Sequence, residues 1–452
     1  MMANSSVARP RKRWIRAGLA CLSCLCLPGL TPSVQAAEIT EIVDNYPAAD
    51  GLGTLTPSLS LDWAWRVRRG SIQREYLCLQ QETIGGTSAC PNGSRVADAE
   101  ALETERLTTT LTLRGGLGVG RLFSVNLSLP ILLHDKVKLG HTKGVTPSNS
   151  PVDPANRPSL FTVGNQGPTR TGIGDPTVSL RVAPFSSARD PQSFSWVLGF
   201  ATTIPLASIR SATNEAPGEG IWGFELESAF SARVTRWLEP FLALSTTLRF
   251  GSDESPFQDF GDTQGLVGPA HMLSLKFGAE FIPFLRPSVR SSVRLELGGR
   301  IDFVFAGRAY TDLFDALGSS GCDPDDVNAP CDLTTYTRGE ADPGTGRPRR
   351  TDGVTDEEAH AVLTGWLGLR YEVLDSLEFS ARATVSRETD HFLTYAEPGR
   401  DLDGQRNIQR SNSDGDNEYS PTYNAAYDNP GNRFRSADTL TVGIDLHVRG
   451  KF

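Results

Sequence analysis

The sequence predicts an all-β fold: a transmembrane antiparallel up-and-down β-barrel of about twelve strands, with short periplasmic turns and long extracellular loops. Three observations point to it. Segments of roughly ten or more residues alternate apolar and polar positions, their charges keep to one parity, and the links between them are short and long by turns.

The chain opens with a targeting signal. Arg9, Arg11, Lys12, Arg13 and Arg16 form a basic stretch, and residues 17–30 form an apolar run too short to span a bilayer as a helix. Val34-Gln35-Ala36 then places small residues where a signal peptidase reads. The expected organisation is a signal peptide at 1–36, a short periplasmic segment at 37–52 and a barrel at 53–452. Cys21 follows Gly18-Leu19-Ala20, a poor lipid-attachment motif. Residues 37–52 carry a small apolar face in Ile39, Ile42, Val43 and Tyr46 that would suit a plug, but they read better as a loose tail.

Removing the leader takes five basic and no acidic residues, so the formal charge falls from −9 to −14. That balance excludes nucleic acid as a partner, since such binding needs a basic footprint. Four cysteines follow the leader, as two local pairs, Cys78 with Cys90 and Cys322 with Cys331. Export permits disulfides, and the spacing does not suit a zinc site, so each pair is expected to close a loop. After the leader no apolar run reaches 18 residues, which leaves strands as the means of crossing a membrane.

The first strand shows the pattern. Leu55, Leu59, Leu61, Trp63, Trp65 and Val67 share one parity, and Ser58, Ser60, Asp62, Arg66 and Arg68 the other. In residues 289–306, Val293, Leu295, Leu297, Ile301, Phe303 and Phe305 are odd, while Arg294, Glu296, Arg300 and Asp302 are even. A basic side chain facing lipid at the midplane costs about 2–4 kcal/mol, so the charged parity must point inward. The same test passes for Lys276 and Glu280, for Glu378 and Arg382, and for Glu225 and Glu227. A soluble sandwich also alternates, but its strands are shorter and its links do not alternate in length.

The expected strands are 53–68, 105–117, 121–133, 173–185, 193–206, 221–234, 239–251, 271–283, 289–306, 360–372, 377–390 and 439–452. An even number with both ends in the periplasm places the long links, and both cysteine pairs, outside the cell. Phe123, Phe185, Phe194, Trp237, Phe241, Phe284, Tyr371 and Phe452 then fall at periplasmic ends, and Trp222, Phe250 and Phe305 toward the outer ends, as interface girdles require. Leu440, Val442, Ile444, Leu446, Val448 and Phe452 form a final stripe that resembles the C-terminal assembly signal of outer-membrane proteins. The resemblance implies export to the outer membrane, its assembly machinery as a partner, and a surround of outer-membrane lipid and lipopolysaccharide.

Twelve strands lie between barrels that side chains fill and those that hold an aqueous channel. Inward parity assigns Arg66, Arg114, Arg181, Glu225, Glu227, Arg249, Lys276 and Glu280 to the channel lining. It adds Arg294, Glu296, Arg300, Asp302, Arg370, Arg382, Asp445 and Arg449. Both signs are mixed, which does not make a ring of one charge. Either they polarise a hydrated pore or they pair into a network that closes it.

Thr171-Gly172-Ile173-Gly174-Asp175, running into Thr177-Val178-Ser179-Leu180-Arg181, resembles the turn and strand of small outer-membrane channels of the phenol MetA-pathway group and, more distantly, FadL-class transporters. Thr203-Ile204-Pro205-Leu206 is similar to the ending of the next strand there. The resemblance implies uptake of small, including hydrophobic, molecules.

The expected role is a monomeric outer-membrane channel for passive or gated passage of a small solute. The alternative is a non-conducting barrel whose long loops bind a surface partner. A lipid-active enzyme is set aside: His134, His271, His360 and His391 lie near outer strand ends, and Ser386 and Asp390 near His391, but no positioned triad is evident. Residues 115–120 are glycine-rich without opening a helix, so they read as a turn rather than a phosphate loop. No cofactor and no metal centre are expected, with loop calcium the one candidate, at Asp401–Gly404, Asn412–Glu418 and Asp323–Asp326. Mass spectrometry of the purified mature protein should find Ala37 as its first residue; a chain beginning elsewhere would remove the assignment of the leader.

Overall fold

The computed structural model describes residues 37–40 and most of 55–452. The exceptions are 78–82, 85–86, 89–95, 120–121, 153–159, 165–166, 187–193, 254, 258–267, 287–290, 320–351, 374–375, 407, 409–417, 419, 421 and 425–426. Cys78, Cys90, Cys322 and Cys331, with the acidic stretches at 323–326 and 412–417, therefore lie outside the described residues.

Twelve antiparallel strands close on themselves. They are β1 (Leu55–Leu77), β2 (Val96–Val119), β3 (Phe123–His141), β4 (Thr177–Phe185), β5 (Ser195–Thr203), β6 (Ile221–Ser231), β7 (Leu238–Gly251), β8 (Met272–Arg286), β9 (Ser291–Val304), β10 (His360–Val373), β11 (Leu377–Glu388) and β12 (Phe434–Lys451). Each pairs with the next, and β12 returns to β1 in a register running from Ser58–Lys451 to Arg74–Phe434. Closure leaves no edge, so every strand finds backbone partners where lipid offers none.

The outward parity is the expected one. Leu59, Leu127, Leu226, Leu244, Leu297, Leu367 and Ile444 all face away from the lumen and are exposed, as a lipid-facing belt must be. Phe123, Phe185, Phe194, Trp237, Phe284, Tyr371 and Phe452 are exposed at the end with short turns, and Phe250 and Phe305 at the other. Phe241 departs from the expected girdle. It is 6% exposed and points inward, beneath Gly278 of the paired strand, where an added Cβ would meet its ring at 2.6 Å.

The second departure is height. β4 and β5 are nine residues long, close to the 9–11 that cross a membrane, but β1, β2, β3 and β12 run 23, 24, 19 and 18. Their outer ends rise past the lipid as a wall, with register shifts at Arg69/Ser71, Ile72/Gln73 and Thr109/Thr110. Against the inner face of that wall the outer loops fold into a dome. Ile72, Leu102, Leu139 and Phe434 of the wall pack with Val152 and Phe161 from the loop after β3. Leu313 and Leu317 from the loop after β9, and Leu393 and Tyr427 from that after β11, complete the cluster. Leu313 and Leu317 flank and end a short helix, Phe314–Gly318, that hangs into the mouth. Its Asp315 is bound by Arg170, both nearly buried, and Asp312 is bound by Arg68, which also holds Glu388 at 2.8 Å.

The glycine-rich turn ahead of β4 has a local cause. Arg170–Ile173 forms a short strand on β3, and Gly172 takes φ +129°, open to glycine and closed to most residues. Asp175 then accepts the amides of Ala207 (2.9 Å) and Glu219 (3.2 Å), tying the loop after β5 to the rim.

Two predictions follow from the belt and the dome. Leu297→Arg places a cation at mid-strand on the lipid face and should cost about 2–4 kcal/mol in reversible unfolding from lipid vesicles. Leu206→Arg, in the loop past β5, should stay within about 0.5 kcal/mol; equal losses would place Leu297 away from lipid. In the dome, burial and the neighbouring Asp356 hold the Asp428 carboxyl well above the ordinary carboxylate range. A raised acid contributes stability that is complete below its unfolded pKa and lost as pH rises through the folded one. Amide exchange of Asn424 and Asp428, corrected for intrinsic rate, should therefore be slower at about pH 4.5 than at about pH 8, and Asp428→Asn should flatten the difference.

Candidate functional site

Between the dome and the periplasmic end lies a cavity of about 600 Å³, enclosed by the barrel wall. Its floor is a single turn, Ala37–Thr40, closed by the Thr40 amide donating to the Ala37 carbonyl at 2.9 Å. These four residues are not a loose tail. The Ala37 amide donates to Glu239 at 2.7 Å, the Glu38 amide to Glu280 at 2.6 Å, and the Thr40 and Ser231 hydroxyls share a bond of 2.7 Å. Arg181 donates to the Ile39 carbonyl at 2.5 Å, and Arg382 reaches the Glu38 carboxylate at 3.0 Å. The exposed amides of a single turn need acceptors, and inward carboxylates of β7 and β8 supply them. Residues 41–52 lie outside the described residues.

The cavity wall carries charge clusters that join neighbouring strands or reach over a glycine of the strand between, since Gly199 stands opposite both Arg181 and Glu227, and Gly368 opposite both Glu296 and Arg382. Glu227 on β6 receives Arg181 and Lys276, both at 3.1 Å. Glu296 on β9 receives Arg382 at 2.8 Å and the Trp366 indole N–H at 2.7 Å, and the Arg382 guanidinium lies 5.6 Å over the Trp366 ring. Asp445 holds Arg66 at 2.9 Å. Asp62 takes Arg114 at 3.2 Å and His447 at 2.6 Å. Trp366 lies flat across Gly298, where any Cβ would collide at 2.2 Å.

Of the sixteen residues assigned to the lining, nine border this cavity: Arg66, Arg114, Arg181, Glu227, Lys276, Glu296, Arg300, Arg382 and Asp445. Glu225 and Arg249 border a second space of about 430 Å³ nearer the outer rim, beside Arg210 and Glu219. Glu280, Arg294 and Arg370 lie lower and are buried, Glu280 accepting both guanidinium groups at 3.0 Å beneath the turn. Arg449 sits 3.8 Å from Glu378, and Asp302 is held by Arg300 at 2.5 Å. The sequence reading missed Glu38, Phe241 and Trp366 as lining, and it named Ile39 only in the plug that it ranked below a loose tail. Parity alone could have found Phe241, which shares its side of β7 with Glu239, and Trp366, which shares its side of β10 with Arg370.

The two signs are presented unequally. Six basic and four acidic side chains border the cavity. The Arg66 and Arg114 side chains are 49% and 51% exposed, whereas those of Glu227 and Glu296 are 14% and 12%. Glu227 and Glu296 lie against the wall under their partners, while Glu38 and Asp445 stay 31% and 28% exposed, so the face turned to a solute carries an excess of cationic groups.

The other candidates resolve differently. Ser386 shares a bond of 2.8 Å with Thr364, and Asp390 accepts the Asp438 amide at 3.4 Å, so neither meets His391, which is 2.9 Å from Glu357. Asp401, Asp403 and Glu418 do gather, yet their oxygens accept the amides of Leu402, Asp403, Gly404, Gln405 and Arg406.

No protein-family model and no curated protein matches the chain. Among solved structures it is similar to a FadL homologue of Pseudomonas aeruginosa, at 8% identity over 88% of this chain and 90% of that one, TM-score 0.31. It is similar to the outer-membrane protease OmpT of Escherichia coli, at 6% identity over 88% and 97%, TM-score 0.30. It is also similar to an anion-selective porin of Comamonas acidovorans, at 9% identity over 88% and 100%, TM-score 0.26. At that level the likeness says nothing of substrate or chemistry; the closed twelve-stranded barrel and its apolar belt make the chain an outer-membrane barrel.

Proposed function

We propose that the protein is a gated outer-membrane channel for small solutes and that its lumen favours anionic and zwitterionic ones. One observation carries the reading: a cavity of about 600 Å³ in the barrel, where basic side chains outnumber acidic ones and Glu227 and Glu296 lie behind their partners. A solute carboxylate or phosphate entering there would meet Arg66 and Arg114 before any buried acid. Such groups raise the local concentration of oppositely charged solutes at the constriction. A wholly apolar solute gains nothing from this lining, which turns the reading away from hydrophobic uptake. Two features bar the path, the Ala37–Thr40 turn below and the helix Phe314–Gly318 above. The turn is no part of the sheet and is held to the wall by hydrogen bonds and one ion pair, so it is the part that can leave with the barrel intact.

Planar-bilayer recording of the refolded mature protein tests this. A variant lacking residues 37–40 should open more often or more widely than the parent. In a salt gradient its reversal potential should show anion preference, and Arg66→Glu with Arg114→Glu should move that potential toward cations. Silence from both folded proteins would favour the alternative, a non-conducting barrel whose dome binds a surface partner. Cation preference would overturn the proposed selectivity.

A further inference from the structure

We infer that Glu357, His360 and His391 form a binding site for a transition-metal ion, zinc being the one their ligand atoms suit best, and that the ion clips two outer loops to the barrel rim. The three residues come from three elements. Glu357 ends the short strand Thr355–Glu357, which pairs with Gly307–Ala309 in the loop after β9. His360 begins β10, and His391 lies in a two-residue strand that adds to β12 after the chain leaves β11. One ligand atom from each lies within 4.8 Å of the other two. A tetrahedral zinc with bonds of about 2.0–2.1 Å spaces its ligands by about 3.4 Å, so the three groups already stand within reach of one ion.

The hydrogen bonds around the rings say which nitrogens are free. His391 Nδ1 lies 2.8 Å from the Thr389 carbonyl, which can only accept, so the ring hydrogen is on Nδ1. Nε2 then faces Glu357 Oε1 at 2.9 Å. Two acceptors at that distance need a positive species between them, either a proton or a metal ion. His360 repeats the arrangement: its Nδ1 is 3.1 Å from the Glu358 carbonyl, which leaves Nε2 as the ligating nitrogen. A ring N–H given to a carbonyl is the usual means by which a protein sets the tautomer and aim of a metal-binding histidine. The Glu358 carboxylate is already engaged by the Phe392 amide at 3.0 Å, so it supports the site rather than competing for the ion.

The rings are stacked, with centroids 3.8 Å apart and planes at 10°. Parallel rings cannot both aim an in-plane lone pair at one ion. Binding therefore requires His360, the half-buried member, to turn out of the stack, while His391, 1% exposed, stays fixed. Two imidazoles with a carboxylate select zinc, copper or nickel over calcium and magnesium, which prefer all-oxygen sites. A water would complete the shell. Once formed, the site joins the loop carrying the mouth helix to the loop after β11.

The test uses the tag-free mature chain, refolded, stripped with a chelator and titrated calorimetrically with zinc chloride. The expected result is one zinc per chain. His360→Ala and Glu357→Gln should each weaken binding by at least about tenfold, the lower bound for losing even an outer partner of a metal ligand, with circular dichroism and heat-modifiable mobility unchanged. Cobalt in place of zinc should give a low-symmetry visible absorption that His360→Ala abolishes. Zinc should also slow amide exchange at 355–357 and 391–392. An absence of saturable binding would overturn the site and leave His391 and Glu357 joined by a proton alone. Binding of equal strength in the parent and both variants would place the metal elsewhere and equally overturn it.

Discussion

The ladder between β1 and β12 is the interaction on which the rest depends. Inside a bilayer an unpaired peptide N–H has no water to turn to, and an open sheet would leave a full row of them. Pairing from Ser58–Lys451 to Arg74–Phe434 removes that row, and by closing the sheet it makes two surfaces that cannot mix. One parity of each strand must meet lipid. The other is committed to a space about as wide as its own side chains, whatever those side chains are.

The chain places charge there in quantity, and the low dielectric of the surround decides how it is arranged. A carboxylate buried alone would be costly, so each is set under cationic partners, as Glu227 is under Arg181 and Lys276, and Glu280 under Arg294 and Arg370. Around the cavity the guanidinium groups of Arg66 and Arg114, on long stems, reach past the acids and stay partly wet. The resulting inner surface differs in character from the chain's overall negative charge. The turn at Ala37–Thr40 extends the same logic to the backbone, with its amide donors satisfied by Glu239 and Glu280. A sheet built to satisfy its own peptides thus ends by supplying acceptors to a segment that is no part of it.

What was legible in the sequence was whatever lipid imposes. The strand count, the closing pair and the inward parity of Arg294, Glu296 and Arg300 all follow from the cost of charge in hydrocarbon, which leaves a period of two in the residues. Above the membrane that cost disappears and so does the signal. The wall formed by residues 69–77, 96–104 and 134–141 reads in sequence as loop, because nothing there requires one face to be apolar throughout. Phe241 misled because an aromatic near a strand end suits a girdle, although it shares the inward parity of Glu239 and stands opposite Gly278. Ala37–Thr40 gave little signal because three of its bonds to the wall, from the Ala37 and Glu38 amides and to the Ile39 carbonyl, are made by backbone, which every sequence shares. The convergence of His360, His391 and Glu357 likewise depends on two loops meeting at one rim.

Outer loops of a barrel are ordinarily its most replaceable parts, each free to lengthen or change without disturbing the others. Here that independence is lost. Val152 and Phe161, Leu313 and Leu317, and Leu393 and Tyr427 come from three separate loops and share one apolar cluster with the raised ends of β1, β2, β3 and β12. An insertion in any one of them disturbs the packing of the other two. Variation on this cell surface has to come as matched sets of changes, and a graft that replaced a single loop would unsettle its neighbours before it offered anything new to the outside.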